Sequence, residues 1–217
     1  MPRPRVADRP YLSGIVLAAG ASTRMGQPKQ LLPLEGQPLL QHVLDAALAS
    51  CLDEVILVLG HRAPEVRAAI HIPEGHRIRV VVNRRYGLGQ SASLRLGLRA
   101  ASPRAAAAAI LLGDQPQVST SLIDMMATAF RRAGAPVVRP VYRGANGRRL
   151  TGHPVLLARR IWPQVEELMG DEGMRSLLAA HPQWLREVAL EGEAPGDIDT
   201  WEDYLRAGGE AALAARQ

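Results

Sequence analysis

The chain has 217 residues, 47% of them apolar, 22% charged and 4% aromatic, so aliphatic residues and alanine must build its core. No apolar run approaches the roughly 18 residues of a membrane span, and a lone cysteine, Cys51, rules out an intrachain disulfide; a cytoplasmic setting with no membrane partner is expected. The net charge of +5 is scattered and not interleaved with aromatics, which disfavours nucleic acid and favours an anionic small molecule.

Residues 1–10, carrying Arg3, Arg5 and Arg9, read as a short flexible lead with no apolar stretch long enough for a signal peptide; residues 11–217 read as a single domain. A buried strand is expected over Gly14–Ala18, and a helix over Leu39–Ser50, where Leu40, Val43, Leu44, Ala47 and Leu48 share a face. A second strand (Glu54–Leu59) precedes a short helix (Glu65–Ile70) that follows Pro64. A third strand (Ile78–Val82), a helix (Ser91–Ala101) and a fourth strand (Ala107–Leu112) come next. The helix expected over Thr120–Ala133 turns Leu122, Met125, Met126 and Ala129 inward. Strands at Val137–Val141 and Pro154–Leu157 flank Arg143–Gly152, which lacks a core pattern and reads as a mobile loop. Helices over Pro163–Met169 and Glu172–Ala180, a strand near Leu185–Leu190 and a helix from Thr200, capped by Asp203, complete the chain. Continuous apolar strands alternating with helices predict an α/β fold: a mainly parallel twisted sheet with helices on both faces. In such sheets ligands sit at the carboxyl ends of strands, here just after Ala18, Val82 and Leu112.

The first of those loops runs Leu17-Ala18-Ala19-Gly20-Ala21-Ser22-Thr23-Arg24-Met25-Gly26-Gln27-Pro28-Lys29. Small residues admit a ligand close to the backbone, successive N–H groups can converge on an anion, and Arg24 and Lys29 add positive charge. The spacing fits neither a Walker A loop nor a Rossmann fingerprint. Of the 26 basic residues 25 are arginine, and Lys29 is the one lysine. Base-composition bias explains the arginines. The position that stayed lysine points to a compact ammonium set against a phosphate, which a planar guanidinium does not replace.

The fourth strand ends in Gly113-Asp114-Gln115-Pro116. A carboxylate there suits Mg²⁺ bridged to phosphate oxygens, although turn and cap aspartates are common. Near the other end, Asp197-Ile198-Asp199-Thr200-Trp201-Glu202-Asp203 puts Asp197 and Asp199 on the same side of an extended segment, either as part of a metal site or as local caps. Gly87-x-Gly89-x-x-Ala92 matches a loose dinucleotide fingerprint, with Asp114 near the place of a ribose-binding acid. This gives a second reading, an NAD(P)-linked oxidoreductase, but too many residues separate the strand from the glycines for the tight turn it requires. None of the other histidines stands at zinc-like spacing from His153.

The motif L-A-A-G-x-S-x-R-M-G-x-x-K resembles the N-terminal signature of the nucleotidyltransferases that activate sugars, isoprenoid precursors and molybdopterin, and most closely that of the molybdenum cofactor cytidylyltransferases. The resemblance extends along nearly the whole chain and implies a Rossmann-like nucleotidyltransferase (glycosyltransferase-A-like) fold. It implies nucleotide binding by Leu17, Ala18, Ala19, Gly20, Arg24, Lys29, Gly89, Gln90, Ser91, Ser93 and Asp114, with Gln90, Ser91 and Ser93 at base and ribose. Asp114 and Asp199 would be the Mg²⁺ ligands, and Lys29, Arg24 and Asp114 the catalytic groups. Gly152-His153-Pro154-Val155 resembles the family's acceptor-side motif, which places His153 and the preceding Arg149, next to Arg148, against the acceptor. Gly170-Asp171-Glu172-Gly173-Met174-Arg175 resembles a motif of the molybdopterin branch that has no separate chemical role here.

The implied reaction is attack by the phosphate of molybdenum-bound molybdopterin on the α-phosphorus of CTP, releasing pyrophosphate; the double alanine at 18–19 resembles the cytidine-specific branch rather than the guanine-specific one. A phosphate nucleophile, with its second pKa about 6, needs no Ser/His/Asp triad. Transfer to another phosphorylated acceptor, or a non-catalytic maturation role beside a molybdoenzyme or its chaperone, are the competing readings.

Overall fold

The computed structural model describes residues 9–75, 77–144, 147–170 and 173–210. In chain order the strands are β1 (Tyr11–Ala18), β2 (Pro33–Leu34), β3 (Gln37–Pro38), β4 (Glu54–Leu59), β5 (Ile78–Val82), β6 (Ala105–Leu112), β7 (Val137–Arg143), β8 (Arg149–Thr151), β9 (Val155–Ala158) and β10 (Leu185–Leu190). The helices are α1 (Leu39–Ala49), α2 (Ala63–Ala69), α3 (Gln90–Ala100), α4 (Thr120–Ala133), α5 (Trp162–Glu166), α6 (Gly173–Ala180) and α7 (Trp201–Arg206).

Eight strands form one sheet in the order β10-β7-β9-β6-β1-β4-β5, with β8 paired to β7. The pairs β1–β4, β1–β6, β4–β5 and β7–β10 are parallel; β9 runs antiparallel to both β6 and β7. The apolar run of β1 has the period of a strand covered on both faces. Leu12 and Val16 enter a core with Leu40, Val43 and Leu44 of α1 and Ile123 and Met126 of α4. Ile15 and Leu17 enter a second core with Leu94 and Leu98 of α3, Trp162 and Val165 of α5 and Leu177 of α6. Because β1, β4, β5 and β6 are parallel, the ends at Ala18, Val82 and Leu112 open on the same edge of the sheet.

Several expectations need correction. Arg143–Gly152 is not a patternless loop: Arg149–Thr151 pairs antiparallel with Val141–Arg143, continuing the edge of β7 that β9 occupies further back. All three residues of β8 are exposed, so no apolar alternation marked it. The β2–β3 hairpin, turned by Glu35 and Gly36 at positive φ, was equally silent. In α4 Ile123, Met126 and Ala127 are buried, and Leu122 and Ala129 pack half-buried against the same core as expected, while Met125 is 49% exposed. Two overlapping apolar stripes run along that helix, and only docking on the sheet chooses between them. The helix expected over Pro163–Met169 is shorter and earlier, a 3-10 turn at Arg159–Ile161 running into α5. The start of the expected Glu172–Ala180 helix and most of the expected lead lie outside the described residues. Arg9, counted in the lead, is anchored: its guanidinium donates to Asp53 Oδ1 at 2.6 Å and to the Cys51 carbonyl.

A third, smaller core joins the region of the first loop to the segment around α7. Met25 of the first loop, with Leu32 and Leu39 just beyond it, buries with Ile198 and Tyr204, and the Tyr204 hydroxyl donates to the Pro33 carbonyl at 2.5 Å. Thr200 and Asp203 form a reciprocal capping box on α7, holding the turn from Ile198 into the helix. Tyr204→Phe leaves that carbonyl unpaired beside a fully buried ring. It is expected to cost about 1–3 kcal/mol, seen as a lowered urea midpoint at unchanged slope; an unchanged midpoint would show that the bond does not fasten the C-terminal segment.

Candidate active site

The loop after β1 is held by its own side chains. Ser22 sits in the left-handed region (φ 52), and its Oγ accepts from the Lys29 N–H at 3.1 Å. The buried Gln30 amide donates to the carbonyls of Ala18 (3.3 Å) and Gly20 (3.2 Å), and the His61 N–H donates to Ala19 O. With those carbonyls occupied, the loop is fixed at both shoulders. Gly113 explains the approach of the next strand end: a Cβ there would lie 2.9 Å from the Ala18 Cβ, and its N–H donates to Leu17 O at 2.9 Å. The bare Cα lets β6 deliver Asp114 directly beside the loop.

Three groups far apart in sequence meet there. Lys29 Nζ donates to Asp114 Oδ2 at 2.5 Å and to Asp199 Oδ1 at 2.7 Å; Arg24 Nη1 donates to Asp199 Oδ2 at 3.1 Å. The placement follows from the third core. Met25 and Ile198 bury in the same cluster, so their neighbours Arg24 and Asp199 are pressed together. The Ile198 N–H donates to Asp114 O at 3.1 Å, and Gln115 Nε2 donates to Asp197 Oδ1 at 2.8 Å. These bonds tie the C-terminal segment to the turn after β6. Asp197 therefore faces Gln115, Asp199 faces Lys29, and Asp203 acts as the cap the sequence suggested, its carboxylate accepting from the Thr200 N–H.

Burial is the largest influence on Lys29 and lowers its pKa, but the charges and hydrogen bonds of Asp114 and Asp199 outweigh it, so the ammonium is held above its ordinary value. The hydrogen bond from Lys29 holds the Asp199 carboxyl below its usual range. Burial, followed by the Asp114 charge, pushes Asp197 up. Asp114 Oδ1 is buried and has no partner. The orphaned Asp114 oxygen and the remaining lone pairs of the 45% exposed Asp199 carboxylate, whose oxygens also accept from Lys29 and Arg24, are hard oxygen donors that fit a divalent cation of Mg²⁺ type.

A cleft of about 220 Å³ opens over the loop, lined by Leu17, Ala18, Ala19, Gly20, Lys29, Gly89, Gln90, Ser93 and Asp114 among others. Most of the residues singled out for the nucleotide thus share one wall. Arg24, paired with Asp199, does not line it, and neither does Ser91. Its Oγ is buried without a partner beside a smaller cavity that it shares with Leu17, His153 and Met174. Ser93 lines the cleft with its Oγ already accepting from Asn83 Nδ2 at 2.9 Å. A second cleft of about 870 Å³ takes in Gln90, Arg139, Thr151, His153, Met174 and Arg175. Gln90 lines all three spaces and marks their meeting point. His153 lies at this junction, and burial pushes its imidazole down to about 4, so it stands neutral. Arg149 is turned away: it pairs with Glu187 and does not line the second cleft.

Sequence reasoning missed Gln30, Gln115, Tyr86 and Arg139. Gln30 and Gln115 act by fastening backbone and neighbours, and such roles leave no motif. Tyr86 lines the first cleft from a 3-10 turn, and Arg139 reaches the second only through strand pairing.

An open α/β sheet with cation, carboxylates and cleft at its strand ends defines a nucleotidyltransferase-type architecture. Residues 14–185 match the MobA-like NTP transferase domain, and the chain belongs to that family. It is 36% identical over 205 residues to the purine catabolism protein PucB of Bacillus subtilis (strain 168), covering 90% of this chain and 95% of that one. It is 30% identical over 204 residues to nicotine blue oxidoreductase of Paenarthrobacter nicotinovorans (92% and 97%). The crystal structure of Rv0371c from Mycobacterium tuberculosis H37Rv superposes with a TM-score of 0.78 at 36% identity, covering 91% of this chain and 97% of that one. A manganese complex of Rv0371c superposes at 0.75 and 34% identity, with the same coverage. Among the described residues no helix is long and apolar enough to cross a membrane.

Proposed function

We propose that the protein transfers CMP from CTP to the phosphate of molybdenum-bound molybdopterin and releases pyrophosphate, with residues 11–217 working as one domain in the cytoplasm, in the service of a molybdoenzyme or its chaperone. The observation that carries this reading is the meeting of Lys29, Asp114 and Asp199 at the rim of a small-residue cleft.

The nucleotide would lie against Ala18, Ala19, Gly20, Gly89, Gln90 and Ser93, with Ser91 behind the pocket wall. The double alanine supports cytidine over guanine. Lys29 and Arg24, with the loop N–H groups, would bind the triphosphate and stabilise the departing pyrophosphate. Mg²⁺, held by Asp114 and Asp199, would supply charge neutralisation at the α-phosphate when bound; the manganese complex of Rv0371c supports a divalent ion. The acceptor's phosphate is largely ionised near neutrality, so positioning, not proton abstraction, is the work left to the protein. His153, neutral and at the junction of the clefts, serves as a hydrogen-bonding group for the acceptor. Arg149, committed to Glu187, supports the acceptor cleft from outside its lining.

A second reading is favoured by the name of one relative, nicotine blue oxidoreductase: reduction of a quinone-like substrate with NAD(P)H. Local geometry weakens it. Gly87 lies inside a 3-10 turn, four residues separate β5 from it, and Asp114 is engaged by Lys29. A test of both is pyrophosphate release from a panel of nucleotides with Mg²⁺ and molybdenum-loaded molybdopterin, beside NAD(P)H absorbance with a quinone-like substrate. The expected result is release with CTP, much less with GTP, and loss of activity on chelation restored by Mg²⁺ or Mn²⁺. No pyrophosphate from any nucleotide, with NAD(P)H consumed, would replace the reading with an oxidoreductase; neither signal would leave a maturation factor.

A further inference from the structure

The large second cleft carries more positive charge than the transfer reaction uses. Arg139 reaches it from β7 and Arg175 from α6, so two different elements aim guanidinium-bearing residues at one space. None of the described residues lining that cleft is acidic. Arg139 Nη2 donates to Glu187 Oε1 at 2.7 Å, but Glu187 also serves Arg149. One carboxylate between two guanidiniums leaves a positive charge uncompensated. Arg175 is exposed and has no ion pair among the described residues. The rest of the wall includes Met174, Leu178 and Leu185, a surface for an apolar or heterocyclic body.

These arginines do not share a wall with Asp114 or Lys29; only Gln90 lines both clefts. The attacking phosphate must reach the triphosphate beside Asp114. The arginines therefore face some other part of the acceptor. We infer that Arg139 and Arg175 form an anion-binding subsite in the acceptor cleft, and that the acceptor carries a second anionic group besides the phosphate that attacks. The inference rests on the proposed transfer reaction for the word acceptor, but the subsite is defined by the cleft itself. Guanidinium groups suit it because they stay charged and bind oxyanions through two N–H groups at once.

The test uses the full chain with Mg²⁺ and α,β-methylene CTP filling the nucleotide cleft, and inorganic phosphate as the calorimetric probe. Wild type is expected to bind phosphate, Arg175→Met to bind it at least 10-fold more weakly, and Arg175→Lys to fall between. Arg175 is exposed, so the fold is not at stake; Arg139→Met, whose partner Glu187 would be left unpaired, serves only as a second variant. In turnover, Arg175→Met should raise KM for molybdopterin at least 10-fold with KM for CTP unchanged. Equal phosphate binding by wild type and Arg175→Met, or none by wild type, overturns the subsite whatever the transfer assay shows. Arg175-dependent phosphate binding in a protein that does not transfer CMP to molybdopterin upholds the subsite and sinks the proposed reaction instead.

Discussion

Lys29→Ala is expected to lower the rate of pyrophosphate release at saturating Mg–CTP and acceptor by about two to three orders of magnitude, the scale of losing one preorganised charge contact to a transition state. Lys29 is 9% exposed and its ammonium is, among the described residues, the one cation in contact with both carboxylates. Nothing nearby replaces it: Arg24 reaches Asp199 only, from an exposed position. Lys29→Arg should not restore the rate, because a planar guanidinium needs more room than the buried ammonium occupies and presents its charge along a different direction. Binding of Mn²⁺ by the alanine variant, followed by electron paramagnetic resonance, should be unchanged or tighter, since a competing cation has left. That separates lost chemistry from a lost metal. A near-normal rate in Lys29→Ala would remove the mechanism.

Asp114→Asn is expected to lower the same rate by about two orders of magnitude or more, for a different reason. The amide keeps the size of the carboxyl but withdraws a negative charge and one hard anionic ligand, so Mn²⁺ affinity should fall at least 10-fold, on the preference of such ions for carboxylate oxygen. Lys29 keeps Asp199 as partner, so the fold should survive, with thermal unfolding close to that of wild type. The two variants thus differ in metal binding and are alike in rate. If Asp114→Asn bound Mn²⁺ as wild type does, Asp114 would be an anchor for Lys29 and not a metal ligand.

The legible part of the fold was the part with strong periodicity. Strand β4 and helix α4 fall where the sequence placed them, because long apolar runs and helical stripes are written in local spacing. Strand β8 and the β2–β3 hairpin were missed because backbone pairing, not side-chain burial, makes them. The inward face of α4 was misread at Met125, where two apolar stripes compete and only the sheet beneath decides. Within the site, the anomaly of a single lysine among arginines and the G-D turn marked Lys29 and Asp114 as candidates. Nothing local assigned Arg149 to Glu187 or brought Arg139 into the second cleft, since both follow from which strands lie side by side.

By itself the sequence determined a mainly parallel α/β sheet, a small-residue loop with a cation at its end, and aspartates at two turns. Those are local properties of residue size, charge and spacing. The tertiary structure alone decided that Asp199, 170 positions from Lys29, shares its ammonium with Asp114. That contact exists because Ile198 and Tyr204 bury against Met25 and Leu39 while the Ile198 N–H is bonded to the Asp114 carbonyl. Apolar burial is non-directional and carries no mark in sequence of which distant partner it will find.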